Sequence, residues 1–299
     1  MWNGMDGVSV TERRYGKGCI FCGIGIQEAL SRLGVGPDLI IPAIPQEILF
    51  THRVGDGFEF YFLSNQSENA VSGTFGFDVA DRQPELWNAE TGEIRDLPLF
   101  EQRAGRTYVP LEFGPADSWF IVFRKRVVVS NSGSDTNFPA FRKLQEINCN
   151  WNVTFHPVYD AAREMTFGEL TDWTQNDDPY IRHFSGTATY KTNFEYRAGT
   201  EKNVWLDLGT VHALADVTLN GQPFRTLWRP PYRVNISEVL KEGYNTIEVV
   251  VTNCWLNRLI GDLQFGARKY TWAPYVDWNA ETPLLPSGLI GPVTLLTGE

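Results

Sequence analysis

The chain has 299 residues, of which 42% are apolar, 13% aromatic and 21% charged, and its formal net charge is −10. That length admits two domains with real cores, and the composition is that of an ordered globular protein rather than a disordered one. The acidic balance repels a phosphate backbone or an anionic membrane surface, and no apolar run approaches the roughly 18 to 20 residues needed to span a bilayer, so neither nucleic acid nor membrane is expected as a partner.

Residues 1–46 combine pieces that cannot bury their own apolar faces. Arg13 to Ile24 reads as a turn and a short apolar strand, and Ile26 to Leu33 as a brief amphipathic helix ended by Gly34. One strand and one helix make no closed core, so the segment reads as the remnant of an α/β domain. Met1 to Asp6 holds no basic stretch leading into an apolar one, so either the protein is cytoplasmic or a secretion signal lies upstream; the location is left open. Cys19 and Cys22 form a C-x-x-C without a second Cys/His pair at finger-like spacing, which favours two small buried residues over half a metal site.

From residue 47 to 126 the pattern changes to strands, among them Phe58–Gln66, Gly73–Val79, Pro84–Trp87, Thr107–Leu111 and Ser118–Phe123, separated by Gly, Asn and Pro turns. That spacing predicts a small antiparallel sandwich. Residues 127–150 read as a linker around the small polar run Ser130 to Asn137. Residues 151–299 form the terminal domain, opening with Trp151-Asn152-Val153-Thr154-Phe155. Within it, Val217–Leu219 and Ile247–Val251 alternate as half-buried strands, and Asn220-Gly221 fits a type I′ turn. Trp228-Arg229-Pro230-Pro231-Tyr232 cannot be a central strand, because adjacent prolines remove two ladder donors, so it reads as a stiff loop presenting an indole and a phenol.

These strings carry a family resemblance. Leu206-Asp207-Leu208-Gly209, Leu219-Asn220-Gly221, Leu227 to Tyr232, Thr252 to Asp262, Tyr270-Thr271-Trp272 and Pro283 to Val293 follow one another as in the galactose-binding-like β-sandwich of large bacterial glycoside hydrolases. The chain most resembles the C-terminal region of the α-L-rhamnosidases of glycoside hydrolase family 106, whose module is similar to the sugar-binding domain of β-galactosidases. Pro84 to Ile94 resembles the small β-domain that precedes the terminal module there. The resemblance implies a mainly β protein: a short α/β remnant, a small β-sandwich, and a galactose-binding-like jelly roll. It also implies that the catalytic carboxylates and calcium ligands belong mostly to a barrel, of which this sequence shows no alternating β/α pattern; no cofactor is assigned, though a structural calcium is admitted by the resemblance.

Carboxylate pairs alone identify nothing in a chain with 36 acidic residues. Aromatic crowding says more, since sugar rings present flat C–H faces that pack on indoles, although large rings also fill sandwich cores. The candidate carbohydrate site is therefore Trp228, Arg229 and Tyr232 on one side, with Trp255, Asn257, Arg258 and Asp262 on the other; the alternative for Arg258 and Asp262 is an ion pair that fixes the loop. The function expected is a non-catalytic, carbohydrate-binding accessory part of a rhamnosidase-like glycoside hydrolase, with plant or bacterial polysaccharide fragments as ligands. Two alternatives stay open: a structural module docking on a missing catalytic domain, and a self-sufficient hydrolase with an unrecognised carboxylate pair.

Overall fold

Period-two burial builds most of the regular structure. In Thr187–Tyr196 the side chains of Ala188, Tyr190, Thr192, Phe194 and Tyr196 point inward, and in Gly243–Thr252 those of Asn245, Ile247, Val249 and Val251 do. The two strands pair antiparallel over their whole length, so each presents one apolar row to the same core. The computed structural model describes residues 2, 4–44, 47–127, 136–158 and 160–298. These divide into two compact units: Met1–Ser64, Val71–Glu112 and Ser118–Asn137 make the first, and Asn65–Ala70, Phe113–Asp117 and Phe138–Glu299 the second.

In the first unit, one sheet runs Leu39–Ile40, Val71–Phe77, Arg106–Phe113, Glu101–Arg103, and the other runs Ile48–Val54, Glu59–Asn65, Ser118–Arg126, Arg82–Trp87, Ile94–Asp96. Their inner faces meet in a ring cluster, with Phe77 of one sheet 4.9 Å from Tyr61 and 5.3 Å from Phe123 of the other. The expected small sandwich is thus present. Its buried charge is Glu85, which accepts from Trp87 Nε1 at 3.1 Å and Arg124 Nε at 2.7 Å and pairs with Lys125. Burial pushes this carboxyl up, yet the bonds from Arg124, Lys125 and Trp87 outweigh it and hold the group below the usual carboxylate range.

The N-terminal segment is a hairpin of Glu12–Tyr15 and Gly18–Phe21 followed by the helix Ile26–Arg32, which buries no residue. The helix stops where Gly34 takes φ +72°, with Gly34 N–H donating to Ser31 and Val35 N–H to Leu30, the two bonds of a Schellman cap. Cys19, Cys22, Cys149 and Cys254 are all free thiols.

The second unit is the jelly roll. A six-stranded sheet has the order Arg163–Phe167, Trp151–His156, Thr187–Tyr196, Gly243–Thr252, Leu214–Leu219, Gln222–Pro223. Facing it is a four-stranded sheet of Phe141–Glu146, Thr294–Gly298, Val204–Asp207 and Arg233–Asn235. Between them lie Trp151, Phe155, Trp173, Phe184, Tyr190, Leu206 and Leu295, all buried. The Tyr190 hydroxyl accepts from Trp173 Nε1 at 2.5 Å and from the Leu289 amide at 3.2 Å, which gives the phenol oxygen two donors in an otherwise apolar centre.

Two features depart from the sequence reading. Within the expected linker, Ser130 to Asp135 lie outside the described residues, but Phe141–Glu146 is an edge strand paired with Thr294–Gly298. It is held there by Phe141, whose ring meets Trp205 edge-on at 5.6 Å and lies 3.9 Å beneath the Arg233 guanidinium. Asn65–Ala70 and Phe113–Asp117, expected in the small sandwich, group with the second unit instead. They are bound to each other by Asn65 Nδ2, which donates to Asn69 and Gly114 carbonyls at 2.7 and 2.8 Å.

Candidate functional site

The strand Gly243–Thr252 delivers the chain to Asn253, whose side chain accepts from the Gly186 amide and donates to the Phe184 carbonyl and Ser287 Oγ. Straight after this clamp comes the helix Leu256–Gly261. Arg258 N–H donates to Ser185 Oγ at 3.0 Å, and Arg258 Nε donates to Asp262 Oδ1 at 2.9 Å across one helical turn. A side chain at Gly261 would collide with His183 and the Arg258 guanidinium, so the glycine lets Arg258 fold back against its own helix.

Asp262 has a positional task. Its second oxygen accepts from the Tyr270 and Thr271 amides at 2.8 and 2.7 Å and from the Thr271 hydroxyl at 2.6 Å. Burial pushes its carboxyl up, but the Thr271 hydroxyl, the two amides and Arg258 overcome this and hold it below its ordinary range. The carboxylate therefore pins Tyr270 next to Arg258, whose guanidinium carbon lies 5.5 Å from that ring centre.

Around these groups is a cleft lined by Trp255, Arg258, Tyr270, Tyr180, Ser185 and Asp160, with Val158 and Phe184 supplying apolar wall. Trp255 is half exposed there. Tyr270 Oη donates to Asp160 at 2.9 Å, and the Arg163 guanidinium sits 3.6 Å over the Tyr180 ring while pairing with Asp178 at 3.3 Å. Burial raises the Tyr180 phenol above its ordinary range, so the group stays protonated at neutral pH.

The sequence candidates separate into two places. Trp255 and Arg258 line this cleft and Asp262 is buried behind Arg258, whereas Trp228, Arg229 and Tyr232 are not in its lining. Trp228 is 56% exposed on its own loop. Arg229 is paired with the buried Asp117 at 2.8 Å, and the buried Tyr232 donates its hydroxyl to the Ala213 carbonyl at 3.0 Å. Asn257 is buried too; its Nδ2 donates to the Leu285 carbonyl at 2.7 Å and its Oδ1 accepts the Leu285 amide at 2.8 Å, tying down the segment before Gly288–Gly291. The lining residues Asp160, Tyr180, Ser185 and Tyr270 were not singled out from sequence, because up to 110 residues separate Asp160 from its partner Tyr270. Among the described residues no group of three or more His, Cys, Asp or Glu side chains is placed to hold a metal ion.

Comparison with known proteins relates the jelly roll and the unit before it to glycoside hydrolases. The family model for alpha-L-rhamnosidase matches residues 1–102, and the model for the glycosyl hydrolase 2 galactose-binding domain-like family matches residues 145–282. A solved rhamnosidase from Novosphingobium sp. PP1Y is 37% identical and superposes with a TM-score of 0.84 over 99% of this chain, which spans 28% of that one. A putative beta-glucuronidase from Formosa agariphila is 35% identical over 172 residues, covering 48% of this chain and 15% of the relative. The resemblance drawn from the motifs is therefore shown, and the chain is related to part of a glycoside hydrolase.

Proposed function

We propose that this chain acts as the non-catalytic, carbohydrate-binding part of a rhamnosidase-like glycoside hydrolase, with the sugar held in the cleft at Trp255 and Arg258. The observation that carries the reading is the half-exposed Trp255 indole standing in one cleft with the Arg258 guanidinium, a ring face beside polar donors. Such a pairing suits a ligand that is apolar on its C–H faces and polar at its rim. Arg258 is oriented by Asp262 before any ligand arrives, which lowers the ordering cost of binding. Affinity in the range of about tens of micromolar to millimolar fits a shallow rim site. Titration with rhamnose, galactose and plant oligosaccharides, followed by tryptophan fluorescence, is the test: Trp255→Ala is expected to abolish binding without lowering the melting temperature. Saturable binding that survives this substitution, or no binding by the wild type, overturns the reading.

Catalysis is not assigned to this chain, since among the described elements there is no β/α barrel. Aryl glycosides, the α-L-rhamnoside included, are expected to give no turnover above blank. Turnover that vanishes on replacing one carboxylate would promote the self-sufficient enzyme.

One observation favours a second reading, a module that docks on a catalytic domain. Phe265, Trp272, Tyr275 and Val276 are all strongly exposed within a single stretch of the second unit. Under that reading Trp272→Ala with Tyr275→Ala weakens association with a separately expressed rhamnosidase barrel and leaves sugar titrations unchanged; no association by the wild type rejects it.

A further inference from the structure

The jelly roll has a second concavity, at the other end of the strand that leads into the cleft. Trp151–His156 runs on to Pro157 and Val158 in the cleft wall, and its first residue, Trp151, borders a groove of about 570 Å³. Five residue steps of a strand put about 17 Å between the two places. The groove's volume lies within the ordinary span of small-molecule sites, about 300 to 1,000 Å³. Its frame is fixed by the fold: Ile147 N–H donates to the Val293 carbonyl at 2.9 Å, and Thr192 Oγ1 donates to the Asn150 carbonyl at 2.8 Å. Trp151 itself pairs with Phe167, which delivers Gly168 and Glu169 to the lining. A ligand therefore meets a preformed wall, and little ordering cost is added on binding.

The chemistry of that wall is one-sided. Its carboxylates and amides are Glu146, Glu169, Asn148 and Asn150, its apolar surface includes Leu170 and Pro292, and it holds no Lys, Arg or His. Glu146 is answered by Lys143 on its own strand. Glu169, Asn148 and Asn150 are exposed, and among the described residues their side chains make no hydrogen bond or ion pair. An anion entering here would face two carboxylates with no cation in the lining, and the net charge of −10 adds repulsion. A neutral sugar can use the amides but leaves the Glu169 charge to water. A ligand that carries both hydroxyls and an ammonium matches the whole set, because an ammonium has three donors and no acceptor and its bond to a carboxylate is charge-assisted.

We propose that this groove is a second ligand site, separate from the cleft, which takes a polyhydroxylated amine of the unacetylated amino-sugar class. Glu169 receives the ammonium, and Asn148 and Asn150 receive hydroxyls. The proposal goes beyond the carbohydrate reading of the cleft and stands without it.

The experiment titrates methyl glucosaminide, methyl N-acetylglucosaminide and methyl glucoside by calorimetry at about pH 6, where the amine is charged, on the wild type, Glu169→Gln and Trp255→Ala. Cys149, a free thiol in the groove lining, reports on occupancy: a bound ligand slows its alkylation while the exposed Cys254 reacts as before. The glucosaminide is expected to bind about three- to fivefold more tightly than the other two, which is as much as an exposed ion pair supplies. It should lose that advantage at about 1 M salt and should slow Cys149 alkylation. Glu169→Gln should erase the preference at an unchanged melting temperature, and Trp255→Ala should leave it intact. Equal binding of the three glycosides, a preference that survives Glu169→Gln, or an unprotected Cys149 overturns the proposal. Loss of glucosaminide binding in Trp255→Ala also overturns it, by moving the sugar to the cleft and so leaving the carbohydrate reading standing. No binding of the glucosaminide by the wild type rejects the groove as a site.

Discussion

Asp262 shows how one side chain can look like a ligand in the sequence and serve as a fastener in the fold. Its folded carboxyl lies below the ordinary value of 3.8 because the bonds from Thr271, Tyr270 and Arg258 outweigh burial. A lowered folded value means the unfolded chain binds more protons in that window, so the stabilisation is fully present above the unfolded value and is lost as pH falls through the folded one. Asp262→Asn is therefore expected to lower the melting temperature at pH 7 and to flatten its decline below about pH 4, as read by thermal unfolding across pH; an unchanged acid limb contradicts the assignment. Asn257 is fixed in a comparable way by three bonds to the 285–287 segment. Asn257→Ala removes the acceptor of the Leu285 amide and should cost about 1 to 2 kcal/mol in chemical denaturation. Both residues were legible as functional in type, since amide and carboxylate follow a tryptophan at a strand end. That both turn inward was not, because it depends on Leu285, Tyr270 and Thr271, which lie 8 to 28 residues away.

Single elements were read from sequence to the degree that they carry local signals. The turn at Asn220 and Gly221 is one such case, with φ of 52° and 85°, the doubly left-handed pair that the Asn-Gly dipeptide suggests. A Cβ at Gly221 would meet no atom within 4 Å, so Gly221→Ala isolates backbone strain and should destabilise by about 1 kcal/mol. Gly288 offers the contrast: it has φ +101°, and a Cβ there would lie 2.3 Å from Trp173 Nε1 in the core. Gly288→Ala should thus cost clearly more than Gly221→Ala in the same denaturation assay, and equal losses would argue against the packing account. The helix Leu256–Gly261 escaped the sequence reading because six residues are too few to display a helical period. Phe141–Glu146 escaped for another reason: an edge strand with one poorly buried face shows little alternation, and Arg-Lys-Leu-Gln resembles a linker.

At the scale of the whole chain, the domain limits 1–46, 47–126, 127–150 and 151–299 remain a proposal drawn from composition. Limited proteolysis is expected to cut first between Ser130 and Asn137, a run of small polar residues with neither apolar period nor capping signal. First cleavage inside Thr218 to Thr252 would place the boundary elsewhere, since that interval holds the hairpin and the ten-residue strand at the centre of the second unit.

By itself the sequence determined the mainly β class, the Asn-Gly hairpin, the capped N-terminal helix and the kinship with sugar-acting enzymes, because strand period, turn chemistry and short motifs are local properties of a chain. Tertiary structure alone decided that Trp255 and Arg258 share a cleft with Asp160, Tyr180 and Tyr270 while Arg229, Tyr232 and Asn257 are bonded inside the protein. The physical reason is that a side chain's partners are set by burial and by which strand ends the sandwich brings together, and neither is encoded in the spacing of neighbouring residues.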